Sequence, residues 1–183
     1  MDFQVKAVVS SFLITCASSP LSAHPHNIMY QQANLTLSRN VITVEIAIVP
    51  STEIGNQMSK DLDLDHNGFL GQNEMQSFAQ ALLDQTELAI DGVSIKLDAS
   101  SISYPQGQAS EQGLTHISIK SNASGSFDPQ TSKEIHFAIS YDRYSPEWFV
   151  QPWLTKDLLP KEKNPKIVRS PNNRAVSITL PNE

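Results

Sequence analysis

The chain of 183 residues carries 13 Lys and Arg against 19 Asp and Glu, a formal net charge of −6, and it holds one cysteine. That length suits one domain with a core of its own. An acidic balance with no Lys/Arg cluster excludes nucleic acid and anionic membranes as expected partners, and a lone Cys16 excludes a disulfide framework or a thiolate metal site.

The first residues set Lys6 before an apolar run from Ala7 to Thr15, followed by small residues ending Leu21-Ser22-Ala23. This is the pattern of a secretory signal peptide, residues 1–23, cleaved after Ala23. The apolar run is well short of the roughly 20 residues that a membrane span needs, so the expectation is a periplasmic or secreted chain with no membrane span. Leu13-Ile14-Thr15-Cys16 departs from a lipoprotein signal at Thr15, which favours soluble processing. The remainder, 24–183, reads as a single β-rich domain.

From Asn34 to Val49, Leu35, Leu37, Ile42, Val44, Ile46 and Ile48 alternate with polar residues on either side of a Ser-Arg-Asn turn, which predicts a half-buried hairpin. Pro50 ends the second arm, since it brings no N–H to a sheet ladder. Ile54, Met58 and Leu62 then recur at helix spacing, with Ser51 or Thr52 as the cap and Gly55 as a weak point. Met75, Phe78, Ala79, Leu82 and Leu83 mark one face of a second helix over 73–85. Strand patterns resume in ELAIDGVSIKL, where Asp91-Gly92 suits a tight hairpin turn. A long polar loop is expected over 98–113, then strands at 114–120, 134–141 and 175–180, with Pro-rich irregular chain over 144–171. The fold class is therefore α+β: a mainly antiparallel sheet or sandwich, with a helix-loop-helix inserted at about 51–86.

Between the two helices, Asp63-Leu64-Asp65-His66-Asn67-Gly68-Phe69-Leu70-Gly71-Gln72-Asn73-Glu74 has an oxygen-bearing residue wherever the EF-hand pattern places one. Calcium takes six to eight oxygens, so a short chain must wrap around a point. Asp63, Asp65 and Asn67 turn side-chain oxygens inward, and Gly68 makes the sharp bend. Phe69 offers its carbonyl, Gly71 leaves room for a water, and Glu74 gives two oxygens from the start of the exiting helix. Asp61 lies outside this set and reads as a solvated neighbour. The expected cofactor is one Ca2+, held in the weak extracellular range of roughly 0.1 to 1 mM. No second acidic loop pairs with this one, so Leu70 and the Met75, Phe78, Leu82 face should pack on the sheet, making the site a structural clip.

The order of signal peptide, Ala-His-Pro-His, strand hairpin, short helix, calcium loop, helix and Asp-Gly hairpin, from about His24 to Leu97, resembles the exported soluble region before the membrane helices of some bacterial nickel/cobalt-transporter-like proteins. The resemblance implies a periplasmic accessory with a possible membrane-protein partner. A second reading is transition-metal binding. A free His24 amine and its imidazole would chelate Cu(II), Ni(II) or Zn(II), with His26 two residues on. His116 and His136 would lie opposite each other if their strands formed a hairpin near Ser126. Trp148, Phe149 and Trp153 have the spacing of core or lid residues over a sheet edge; their other use is a carbohydrate or peptide platform. No nucleophile motif or phosphate loop is present, so no enzyme is expected.

Overall fold

The structure, a computed structural model, describes residues 29–39, 41–106, 113–124, 134–156, 158 and 164–181. Its architecture is α+β: two helices and two five-stranded sheets whose buried side chains belong to one core cluster. Among the described residues, no helix is long and apolar enough to cross a membrane.

β1 (Met29–Ser38) and β2 (Val41–Pro50) pair antiparallel along their whole length, with Leu35 beside Val44 and Leu37 beside Ile42. Strand side chains alternate between faces, so the period-two pattern turns Leu35, Leu37, Ile42, Val44, Ile46 and Ile48 to one side, and all six are fully buried. Burying each such side chain stabilises by about 1.5–3 kcal/mol, which makes this hairpin the main wall of the core. Gln31 is buried on the same face. Its Nε2 donates to the carbonyls of Ser145 and Glu147, both at 2.9 Å, and so ties down a distant loop.

After Pro50, α1 (Thr52–Leu62) begins at Ser51, whose hydroxyl accepts from Ile54 N at 3.4 Å. Ile54, Met58 and Leu62 are buried, as their spacing predicts. Gly55 costs about 1 kcal/mol in helix propensity relative to alanine, but its place is a packing requirement. A Cβ there would fall 2.1 Å from the Leu114 carbonyl oxygen, and Leu114 N donates to Gly55 O at 3.2 Å. α2 (Gln72–Leu83) buries Met75, Phe78, Ala79, Leu82 and Leu83. Its Phe78 ring meets Tyr141 edge-on at 6.1 Å.

β3 (Thr86–Ile90) and β4 (Val93–Ile95) form a hairpin through Asp91-Gly92, with φ of 50° and 78°, the left-handed pair that a two-residue turn demands. Then β5 (Ala99–Ser103) departs from the expected polar loop. It is an outer strand paired to β6 (Ile117–Ser124) with a register shift at Ala99/Ser101. The chain expected to be irregular after Tyr144 holds two further strands, β8 (Phe149–Leu154) and β9 (Lys166–Arg169). β8 pairs parallel to β1. With β7 (Glu134–Ile139) and β10 (Ala175–Thr179), the sheet orders are β5-β6-β2-β1-β8 and β4-β3-β7-β10-β9.

These orders remove the condition for the His116–His136 pair, a hairpin of β6 with β7. β6 lies beside β2 and β7 between β3 and β10, so His116 and His136 stand in or next to different sheets and do not face each other. Apolar alternation marks both strands but cannot say which partner each one takes. Trp148 is a core residue whose Nε1 donates to Tyr141 O at 2.6 Å, whereas Phe149 and Trp153 are exposed.

Candidate metal centre

α1 stops because Asp63 leaves helical geometry, at φ −75° and ψ 82°, while its N–H still bonds Ser59 O. The chain then reverses over nine residues. Two left-handed residues make that possible: His66 at φ 58° and Gly68 at φ 81°. Glycine enters this region without steric cost, and His is among the residue types that visit it more often than most. No feature of the sequence singled out His66.

Side-chain oxygens fill the interior of the reversal. The Asp63 carboxylate accepts from Asn67 N at 3.1 Å and from Gly68 N at 2.9 Å. Asp65 accepts from the same Asn67 N at 3.1 Å and from Asn67 Nδ2 at 2.7 Å. Asn67 Oδ1 accepts from Phe69 N at 2.7 Å. These are the local bonds by which Asp and Asn tighten turns.

Glu74 closes the loop from the other end. One turn into α2, it sends Oε2 to Gly71 N at 2.7 Å, half of a capping box, and reaches back with Oε1 to Leu64 N at 2.6 Å and Asp65 N at 3.4 Å. A negative group here also suits the positive end of the helix dipole. Ligand atoms of Asp63, Asp65 and Glu74 all come within 4.8 Å of one another, the single such group of three metal-ligating side chains among the described residues.

Of the six expected residues, Asp63, Asp65 and Glu74 bring ligand atoms together, and Asn67 bonds Asp65 beside them. Asp63 and Glu74 are half-buried, and Asp65 and Asn67 are exposed. Phe69 has its ring in solvent, which leaves only its backbone for the loop interior. Gly71 is not forced by packing, since a Cβ there would sit 3.5 Å from Glu74 Oε2, an ordinary contact. Leu70 is partly buried against the core, as an anchor would be.

Asp61 has a different job. Its Oδ2 accepts from the Tyr144 hydroxyl at 3.3 Å and lies 3.6 Å from Arg143, whose guanidinium rests 5.2 Å above the Tyr144 ring. It joins α1 to the segment before β8 and is not part of the carboxylate group. Burial pushes the Tyr141 hydroxyl up to about 12 and Tyr144 upward as well, with Arg143 opposing in part, so neither phenol offers an anionic oxygen near neutral pH.

Among the described residues, the histidines are dispersed. His116 is exposed and contacts Thr115 Oγ1 at 3.3 Å, and His136 Nδ1 lies 3.1 Å from Ser177 Oγ. His24 and His26, with the expected signal peptide, lie outside the described residues. No family model matches this chain, and no curated protein matches its sequence.

Proposed function

We propose that Asp63 to Glu74 is an EF-hand calcium site. Asp63, Asp65 and Asn67 supply side-chain oxygens, Phe69 its carbonyl, Glu74 both carboxylate oxygens, and a water occupies the place beside Gly71. The observation that carries the reading is the approach of three carboxylates to within 4.8 Å, around a loop bent by left-handed residues at its fourth and sixth positions. Like charges at that separation oppose one another, and a divalent cation offsets the repulsion. Oxygen-only ligation by carboxylate, amide and carbonyl groups suits a hard ion such as Ca2+.

The role that fits is a structural clip in an exported accessory protein. Met75, Phe78 and Leu82 are already in the core, so no apolar groove waits to open when the ion binds. A membrane-protein partner is part of this proposal and rests on the resemblance of His24 to Leu97 to transporter-associated soluble regions. The transition-metal reading is the weaker one, because β6, which follows His116, and β7, which carries His136, belong to different sheets.

Calorimetric titration of chelator-stripped protein lacking residues 1–23 with Ca2+, Mg2+, Ni2+ and Cu2+ tests the proposal. Saturable calcium heat with Kd of roughly 0.1 to 1 mM is expected. Its absence at millimolar calcium would overturn the site, and heat with Ni2+ or Cu2+ alone would favour the histidines.

A further inference from the structure

The outward face of the first sheet carries side chains that neither the core nor the acidic loop uses. Strand register lays the outward residues of β2, β1 and β8 in rows. Val49 stands beside Tyr30; Ala47, Gln32 and Phe149 form the next row, then Glu45, Asn34 and Gln151, then Thr43, Thr36 and Trp153. Tyr30, Phe149 and Trp153 are 51%, 40% and 56% exposed, a large aromatic outlay on one face of an acidic chain. Phe149 and Trp153 are four residues apart on one strand, about 13 Å at the usual rise.

These rings are held in place without being buried. The Tyr30 hydroxyl donates to Gln32 Oε1, Gln32 Nε2 donates to Asn34 Oδ1 at 2.6 Å, and Trp153 Nε1 donates to the same oxygen at 3.3 Å. Asn34 therefore turns its carbonyl into the network, and its amide NH2 is the part left facing away. Beside it, Arg169 fixes the strand edge. Its guanidinium lies 5.4 Å over the Phe149 ring, donates to the Val150 carbonyl and reaches Gln151 Oε1 at 3.3 Å.

Two features identify the occupant. First, the face lacks the acidic excess of a chain that carries −6: Glu45 is matched across the sheet by Lys120 on β6, and the other charge here is the Arg169 guanidinium over Phe149. Second, rings and amides adjoin instead of separating into the apolar centre and polar rim of a protein interface. Phe149 and Trp153 stand on either side of Gln151 along β8, beside the amide and hydroxyl column Gln32, Asn34 and Thr36 of β1, with Tyr30 at the end of that column. Rings that stack on C–H faces beside amides that bond hydroxyls match an uncharged, hydroxyl-rich ligand.

We infer that this face binds a neutral linear oligosaccharide, with Phe149 and Trp153 stacking on separate sugar rings and Gln32, Asn34 and Gln151 bonding their hydroxyls. The inference is independent of the calcium reading, so chelator leaves it unchanged. The test is titration of the chain with maltohexaose, cellohexaose, laminarihexaose and chitohexaose, read by tryptophan emission and by amide NMR shifts. At least one sugar is expected to give a saturable change that maps to β1 and β8.

Trp153→Leu should weaken that binding more than tenfold, and Trp153→Tyr should keep it within about threefold, because stacking needs a ring and not merely apolar bulk. Val93→Ala, an exposed position on the other sheet, should change nothing. Trp153 is largely in solvent, so its variants are expected to fold; Phe149→Leu is the second variant should melting show otherwise. No saturable response to any of the four sugars would overturn the inference. So would wild-type affinity in Trp153→Leu, Trp153-dependent self-association in sedimentation, or Trp153-dependent adsorption to phosphatidylcholine vesicles; the last two would assign the face to a second copy or to a membrane.

Discussion

Gly55 and Gly68 lie on the same helix-loop-helix, and they are glycine for opposite reasons. At Gly55 the helix presses so closely on the chain at Leu114 that a Cβ would be 2.1 Å from a carbonyl oxygen, whereas a Cβ at Gly68 would meet nothing within 4 Å and the backbone angle alone requires glycine. One end of the unit is fixed by backbone contact with the chain at Leu114, the other by its own hydrogen bonds and by Leu70 against the core. An ion in the loop should therefore reinforce a frame that already exists, acting locally and leaving the helix packing as it is.

The largest test of that contrast is Gly55→Ala. Overpacking against backbone, which cannot swing aside as a side chain can, should cost about 3 kcal/mol, seen as a lower urea midpoint in calcium and in chelator alike. A loss confined to one condition would mean that the frame and the loop are not separable. Glu74→Gln comes next. Calcium at ten times Kd should stabilise wild type by about 1.4 kcal/mol and the variant hardly at all, measured as the calcium-induced shift in Tm. In chelator the variant should melt close to wild type, because the amide oxygen keeps the backbone bonds of one of the two carboxylate oxygens and the substitution relieves the carboxylate repulsion.

Gly71→Asp sharpens the same point in the other direction. The position has room, and a fourth carboxylate should tighten calcium binding roughly fivefold by calorimetry, at some expense to the calcium-free loop. Asp61→Asn should do least. Its pairing with Arg143 is long, at 3.6 Å, and about half exposed, so about 1 kcal/mol or less is at stake, and calcium affinity should fall far less than in Glu74→Gln. A drop as steep as that of Glu74→Gln would move Asp61 into the ligand set.

What could be read in the sequence was whatever depends on near neighbours. The β1–β2 parity, the helix stripes, the Asp91-Gly92 turn and the twelve-residue acidic pattern are local, and each has its counterpart in the structure. What could not be read depends on distant partners. β5 is mostly serine and alanine and is a strand because β6 offers it an edge. Pro152 argues against a strand, yet β8 is an outer strand, where proline is tolerated. The pairing of β7 with β3 and β10, and so the separation of His116 from His136, has no local signature. Gly55 read as a helix weakness because Leu114, its reason, lies far along the chain.

The parallel seam between β1 and β8 bears on how the molecule is made. Asn34 and Trp153 touch although they are 119 positions apart, and a contact of that reach forms late, after the loop-closure entropy of most of the chain has been met. A chain emerging N-terminus first would hold β1 beside β2 with its other margin bare until residues 149–154 arrive. During that interval the bare strand is a template for any neighbouring chain. Newly synthesised material should then aggregate at the seam before it aggregates anywhere in the helical unit, and holding chains apart until synthesis is complete should raise the yield more than calcium does.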